Sequence, residues 1–198
     1  MFKTNKKNGF TLIEILVVIS IIILLLGIAT PSFRTYTYNS HIRDSAKAIR
    51  SLLWEAQGFS LAPRDTETTK YIVDLTAGSN IAPIIIKKAY NVANPAVPGT
   101  FTENIDPSPN LSSAKIFSEV VVEKISFYKA SGGSALSATD TRFAFLVGNR
   151  TGGQIKITSS VSTEEANKAE IIIGSPRAKL KYKITVSAAA NNITIIRQ

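Results

Sequence analysis

The stretch Gly9-Phe10-Thr11-Leu12-Ile13-Glu14 opens an apolar run in which, from Ile15 to Leu26, Ser20 is the one polar residue. Apolar character lasts from Phe10 to Ala29, with Glu14 its single charged interruption. Those residues, at about 1.5 Å each, make a helix of roughly 30 Å, the hydrocarbon thickness of a bilayer. The run is therefore expected to span a membrane. Upstream, Met1 to Gly9 carries Lys3, Lys6 and Lys7 and no acid, and the positive-inside rule holds such a segment in the cytoplasm. Everything after Ala29 is then expected outside.

A secretory signal peptide would use the lysines as its basic region, Ile15 to Leu26 as its apolar region and Gly27-Ile28-Ala29 as a small-x-small cleavage site. Glu14 argues against that reading, and equally against a plain anchor. A carboxylate at the head of an apolar run is costly in hydrocarbon and is kept for a function.

The order of short basic leader, Gly9, aromatic Phe10, carboxylate Glu14, unbroken apolar run and then Thr30-Pro31-Ser32-Phe33 resembles the processing site of type IV prepilins and of the pseudopilins of type II secretion. The resemblance implies that a membrane-embedded prepilin peptidase cuts the Gly9–Phe10 bond and methylates the new amine of Phe10. It also implies a role for Glu14 in assembly. Once the leader is gone, the Phe10 amine of a neighbouring copy can pair with that carboxylate, offsetting its desolvation in a low-dielectric filament and fixing axial register. The partners implied are the peptidase, other pilin or pseudopilin subunits, an inner-membrane assembly platform and, before assembly, membrane lipid. The implied location is the bacterial inner membrane, single-pass with the N-terminus cytoplasmic, and then a periplasmic or extracellular filament.

Beyond Pro31 the helix is expected to continue with a kink, because proline removes a backbone donor and crowds the preceding turn. The pattern then turns amphipathic: Ile42, Ala46, Ile49, Leu53 and Ala56 recur at helical spacing, with Arg43, Asp44, Lys47 and Arg50 on other faces. The helix is expected to stop near Gly58, with Pro63 beyond it. Trp54 and Phe59 are expected to pack under a sheet.

The remainder reads as β. Seventeen isoleucines follow residue 60, in short segments bounded by Gly, Pro, Asn and Ser. Strands are expected near Lys70–Leu75, Ala82–Lys88, Glu119–Tyr128, Arg142–Val147, Gln154–Thr158, Glu170–Ile173, Lys179–Ser187 and Ile193–Arg197. Turns are marked by Gly148-Asn149 with Gly152-Gly153 and by Asn191-Asn192. Pro95, Pro98, Pro107 and Pro109 make residues 91–113 an expected surface loop. The expected fold is α+β, a long N-terminal helix on an antiparallel sheet. Its segments would be a leader at 1–9, a transmembrane half-helix at 10–29, an amphipathic half at 30–59 and a β-rich head at 60–198. The Phe143-Ala144-Phe145…Gly148…Gly152-Gly153-Gln154-Ile155 hairpin and the closing strand pair resemble the H-type minor pseudopilin and FimT-like minor pilins. One departure is Ala188-Ala189-Ala190-Asn191-Asn192, where that group usually has a Gly-containing turn.

Composition narrows the chemistry. In 198 residues there is no cysteine and one histidine, His41, which leaves no thiol chemistry and no multi-His metal or Ser/His/Asp constellation. No enzymatic activity and no cofactor are expected, and Asp106 and Asp140 lie in no acidic cluster that would suit calcium. His41 is expected to be solvated or a packing partner. A disulfide-closed major subunit is excluded, while other major subunits stay open. Asn110, Asn149 and Asn192 begin short glycosylation patterns that arise often by chance. The net charge of +9 falls to +6 once Lys3, Lys6 and Lys7 leave (9 minus 3). Much of the rest lies in Arg177, Lys179, Lys181 and Lys183, which alternate with apolar residues and so share a strand face. Such a row suits DNA phosphates, a function of some pilin-like proteins. The reading preferred over it is a solvated face that blunts an edge.

Overall fold

A computed structural model describes residues 10–63, 65–78, 84–94, 100–106, 111–129, 135–147, 154–159 and 162–198. One helix, α1, runs Leu12–Leu61 and eleven strands follow it. Contacts divide the chain into two units, Met1–Thr37 and Tyr38–Gln198.

In the first unit, the side chains from Phe10 to Ile28 are exposed. The hydroxyls of this helical stretch bond back along it, Ser20 to the Leu16 carbonyl at 2.8 Å and Thr30 to the Leu26 carbonyl at 2.6 Å. These bonds leave neither hydroxyl in need of an outside partner. The backbone stays helical through Pro31.

The second unit is the head. Its strands are β1 Thr68–Thr76, β2 Ile84–Ala93, β3 Phe101–Asp106, β4 Ser113–Ala114, β5 Val121–Lys129, β6 Leu136–Ala138, β7 Asp140–Leu146, β8 Ile155–Ser159, β9 Ser162–Ser175, β10 Ala178–Ser187 and β11 Asn192–Arg197. All pairings among them are antiparallel, in the order β11-β10-β9-β8-β7-β1-β2-β3, with β5 on β9, β6 on β5 and β4 on β2. Ala166 of β9 pairs with both Ile157 of β8 and Lys129 of β5. A residue has one partner on each edge, so β5 and β8 lie on opposite edges of β9, and β8 follows β10 along the same edge. Strand β9 thus joins two half-sheets, β6-β5-β9-β10-β11 and β9-β8-β7-β1-β2-β3.

The predicted apolar stripe closes the core. Ile42, Ala46, Ile49, Leu53 and Ala56 are all 0% exposed and cluster with Tyr71, Ile125, Phe127, Phe143, Phe145 and Ile171 from the sheet. A small second cluster of Ile72, Ala89 and Ala144 sits apart from this core.

Four expectations need correction. The helix ends at Leu61 rather than near Gly58, because Ala62 donates to the Gly58 carbonyl and adds a last turn. Trp54 does not pack under the sheet: it is 48% exposed, with the Arg50 guanidinium 3.9 Å from its ring. It falls on the polar side of α1, while Phe59 packs on the core against Tyr71, 5.5 Å between ring centroids. The expected loop at 91–113 is interrupted by strand: β2 runs to Ala93 and β3 pairs along it from Lys88↔Asp106 to Ala93↔Phe101. Its prolines, Pro95, Pro98, Pro107 and Pro109, lie outside the described residues. Strand β9 also begins at Ser162, well before Glu170, since paired strands hold its polar N-terminal half.

The Gly148-Asn149 and Gly152-Gly153 turn lies outside the described residues. The β10–β11 turn is described, and Asn191 takes φ of 49° there. Asparagine tolerates this left-handed conformation better than most residues, which is how the turn closes without glycine.

Candidate functional site

Helix α1 starts with four backbone N–H groups that have no helical partner. Thr11 is placed to cap them. Its hydroxyl accepts the Glu14 N–H at 3.3 Å, while one oxygen of the Glu14 carboxylate accepts both the Thr11 N–H and the Thr11 hydroxyl at 2.8 Å. This reciprocal arrangement is a capping box, Thr-x-x-Glu. It gives Glu14 partners within its own chain and sets the anion at the positive end of the helix dipole. The pattern is readable in Thr11-Leu12-Ile13-Glu14; assigning Glu14 to a neighbouring amine obscured its local role.

Gly9 lies outside the described residues, whereas Phe10 is described and 85% exposed, so the residue after the expected cut is accessible. Pro31 is within α1.

Lys179, Lys181 and Lys183 alternate along β10, with Ile184 and Val186 buried on the opposite face. Arg177, however, falls in the turn before the strand, and β10 lies between β9 and β11, so the row blunts no edge. Its charges are not free as a set. Lys181 bonds the Glu123 carboxylate of β5 at 2.5 Å, and Lys183 lies 3.6 Å from Glu170 of β9, which also holds Lys168 at 2.7 Å. Burial pushes the Glu170 carboxyl up, but its bond to Lys168 leads the opposing effects and the net shift is downward. Glu123 reaches Lys181 through a bulge: Val122 pairs with Ile173 and Lys124 with Ile172, so Glu123 is the extra residue. The carboxylate crosses Gly174, where an added Cβ would meet Glu123 Oε1 at 2.2 Å. Lys179 is exposed and Arg177 donates to the Tyr38 hydroxyl at 3.3 Å. These cross-strand carboxylates were missed because strand order, unlike alternation, has no local signature.

His41 is a packing partner. Its ring stacks on Phe117 at 4.1 Å and 2°, and its Nδ1 bonds Glu119. The His41 bond leads the effects holding the Glu119 carboxyl below its ordinary value.

A family model described as the prokaryotic N-terminal methylation motif matches residues 4–30. That span contains Gly9, Phe10, Thr11, Glu14 and the apolar run. Over this segment the chain has the N-terminus of a type IV pilin-like protein. The pilin-like chain is also 48% identical over 46 residues to "Prepilin peptidase-dependent protein A" of Clostridium perfringens, covering 23% of this chain and 29% of that relative. The match thus spans less than a third of the relative's length. No solved structure matches the pilin-like chain. Its head is described by its own geometry.

Proposed function

We propose that the chain is a structural, non-catalytic subunit of a filament. It enters the membrane as a single-pass precursor with a cytoplasmic leader, is cut after Gly9 by a prepilin peptidase, is methylated on the Phe10 amine and is then assembled. Its partners are the peptidase, other pilin or pseudopilin subunits and an assembly platform in the same membrane. The observation that carries this reading is a capped carboxylate, Glu14, at the head of an exposed apolar helix directly after the expected cut. Within a bilayer the Thr11 donors satisfy Glu14, and within a filament the Phe10 amine of the next copy can replace them.

The sequence resemblance of residues 143–155 and of the closing strand pair favours a minor subunit of a type II secretion pseudopilus or type IV pilus. A DNA-binding minor pilin draws less support, because Lys181 and Lys183 face carboxylates. Crosslinking of Glu14→Ala to neighbouring subunits in cells tests the assembly role. Processed, membrane-inserted chain that fails to crosslink supports it; crosslinking at the unsubstituted level refutes it.

A further inference from the structure

Among the described residues β3, β4, β6 and β11 each pair on one side only. β4 and β6 have two and three residues, and shortness protects an edge. β3 and β11 have six residues each and lack the usual protection. Neither contains lysine or proline, and neither is bulged against its neighbour.

In an antiparallel pair, alternate residues bond the neighbouring strand and the others turn their N–H and C=O away from it. Gln198 N–H donates to the Lys181 carbonyl at 2.9 Å, which fixes the phase of β11: Ile193, Ile195 and Arg197 turn outward. Asn94 N–H donates to the Thr100 carbonyl at 2.9 Å, so Phe101, Glu103 and Ile105 turn outward from β3. The two edges differ in sign. β3 carries Glu103 and Asp106 and no cation, whereas β11 carries Arg197 and no anion. Glu103 bonds Lys70 through Oε2, leaving Oε1 as an acceptor. Arg197 has no carboxylate partner among the described residues. Each edge also exposes a large apolar side chain, Phe101 at 67% and Ile196 at 55%.

We propose that β3 of one copy and β11 of the next join as an antiparallel strand pair, with Arg197 opposite Glu103 and Ile195 opposite Ile105. All four residues turn their backbone groups outward, so this register joins them as hydrogen-bonded pairs and adds an ion pair and an apolar pair. Between them Ile196 comes to lie beside Asn104. Pairing like with like is poorer. Two β3 strands would set acid against acid, and any two-fold pairing closes as a dimer. β3 on β11 leaves an open edge at each end and can repeat. This deepens the filament reading above and rests on it, requiring that two copies lie side by side.

The chain has no cysteine, so a disulfide can read the pairing. Asn104→Cys and Ile196→Cys would stand directly opposite in a non-hydrogen-bonded pair, with Cα atoms about 4.5 Å apart and within disulfide reach. Full-length chains carrying one or the other substitution, with different tags, are produced together in cells with an active prepilin peptidase and oxidised. The expected product is a mixed dimer bearing both tags. Arg197→Glu in the Ile196→Cys chain should cut its yield by about tenfold, through the like charge set opposite Glu103. Trp54→Cys in place of Ile196→Cys, exposed but away from either edge, should give no mixed dimer. Absence of the mixed dimer, same-tag dimers in its place, an equal yield with Trp54→Cys, or a yield unchanged by Arg197→Glu overturns the proposal. Formaldehyde crosslinking of the unsubstituted chain in the same cells separates the failures. Multimers without the disulfide contradict the edge pairing alone, whereas absence of multimers contradicts the filament reading and the pairing with it.

Discussion

One oxygen of the Glu14 carboxylate accepts both the backbone N–H and the hydroxyl of Thr11, each at 2.8 Å. The carboxylate on which assembly is proposed to turn is therefore also the cap of its own helix. A charge in hydrocarbon with no partner is expensive, and these donors reduce that cost before another copy is present.

Removing the Thr11 hydroxyl tests the cap directly. Thr11→Val keeps the backbone donor but loses both hydroxyl bonds, so amide exchange over residues 12–15 in micelles should speed up by about fivefold. Thr11→Ser should restore slow exchange. An unchanged rate in Thr11→Val would mean the hydroxyl contributes nothing to the helix start.

Gly174 and Glu123 give a second test. A Cβ at position 174 would lie 2.2 Å from Glu123 Oε1 and 2.8 Å from its Cδ. Gly174→Ala should therefore turn the Glu123 side chain away and break its pair with Lys181. The pair is partly exposed, so the loss should be under about 1 kcal/mol, and it should vanish in a Glu123→Ala background. Equal losses in both backgrounds would point to backbone strain instead.

Much of this fold was legible before any coordinates. Ile42, Ala46, Ile49, Leu53 and Ala56 announced the buried face by spacing alone, and each expected strand appears, because alternation is a local signal. What escaped was non-local or polar. β3, Phe101-Thr102-Glu103-Asn104-Ile105-Asp106, has few apolar residues, is largely exposed and is held by pairing to β2. The opposition of Glu123 and Glu170 to the β10 lysines depends on strand order. Trp54 was misplaced because its bulk suggested burial, while its helical phase set it beside Arg50. In the candidate site, Gly9 and Phe10 stood out through the resemblance to a prepilin processing site, and Glu14 also as a carboxylate at the head of an apolar run. Thr11 was overlooked, although Thr-x-x-Glu is a local signature.

The phase of α1 supplies a third prediction. Ile49 is 0% exposed within the core whereas Trp54 is 48% exposed. Ile49→Ala should cost about 2–5 kcal/mol of head stability in urea unfolding, and Trp54→Ala less than about 1 kcal/mol. A larger loss at Trp54 than at Ile49 would contradict the helix orientation.

Acid should destabilise the head. The Lys88 ammonium, with Thr68, pulls the Asp65 carboxyl down to about 2, and Glu119 is lowered chiefly by its bond to His41. For groups lowered on folding, the stabilisation is present above their unfolded values, near 4, and is lost as pH falls through the folded ones. Thermal melts should hold steady from about pH 7 to 5 and decline between about pH 4 and 2. Lys88→Gln should return Asp65 toward ordinary titration by NMR. A melting temperature that rises on acidification would contradict the sign.

The proposal as a whole rests on where the mature chain begins. Mass spectrometry of the N-terminal peptide, from cells with and without an active prepilin peptidase, reads this directly. The account predicts a peptide starting at N-methylated Phe10 when the peptidase is active and one retaining the leader when it is not. A chain that begins at Thr30, or that keeps Gly9 in the presence of the active enzyme, would contradict it.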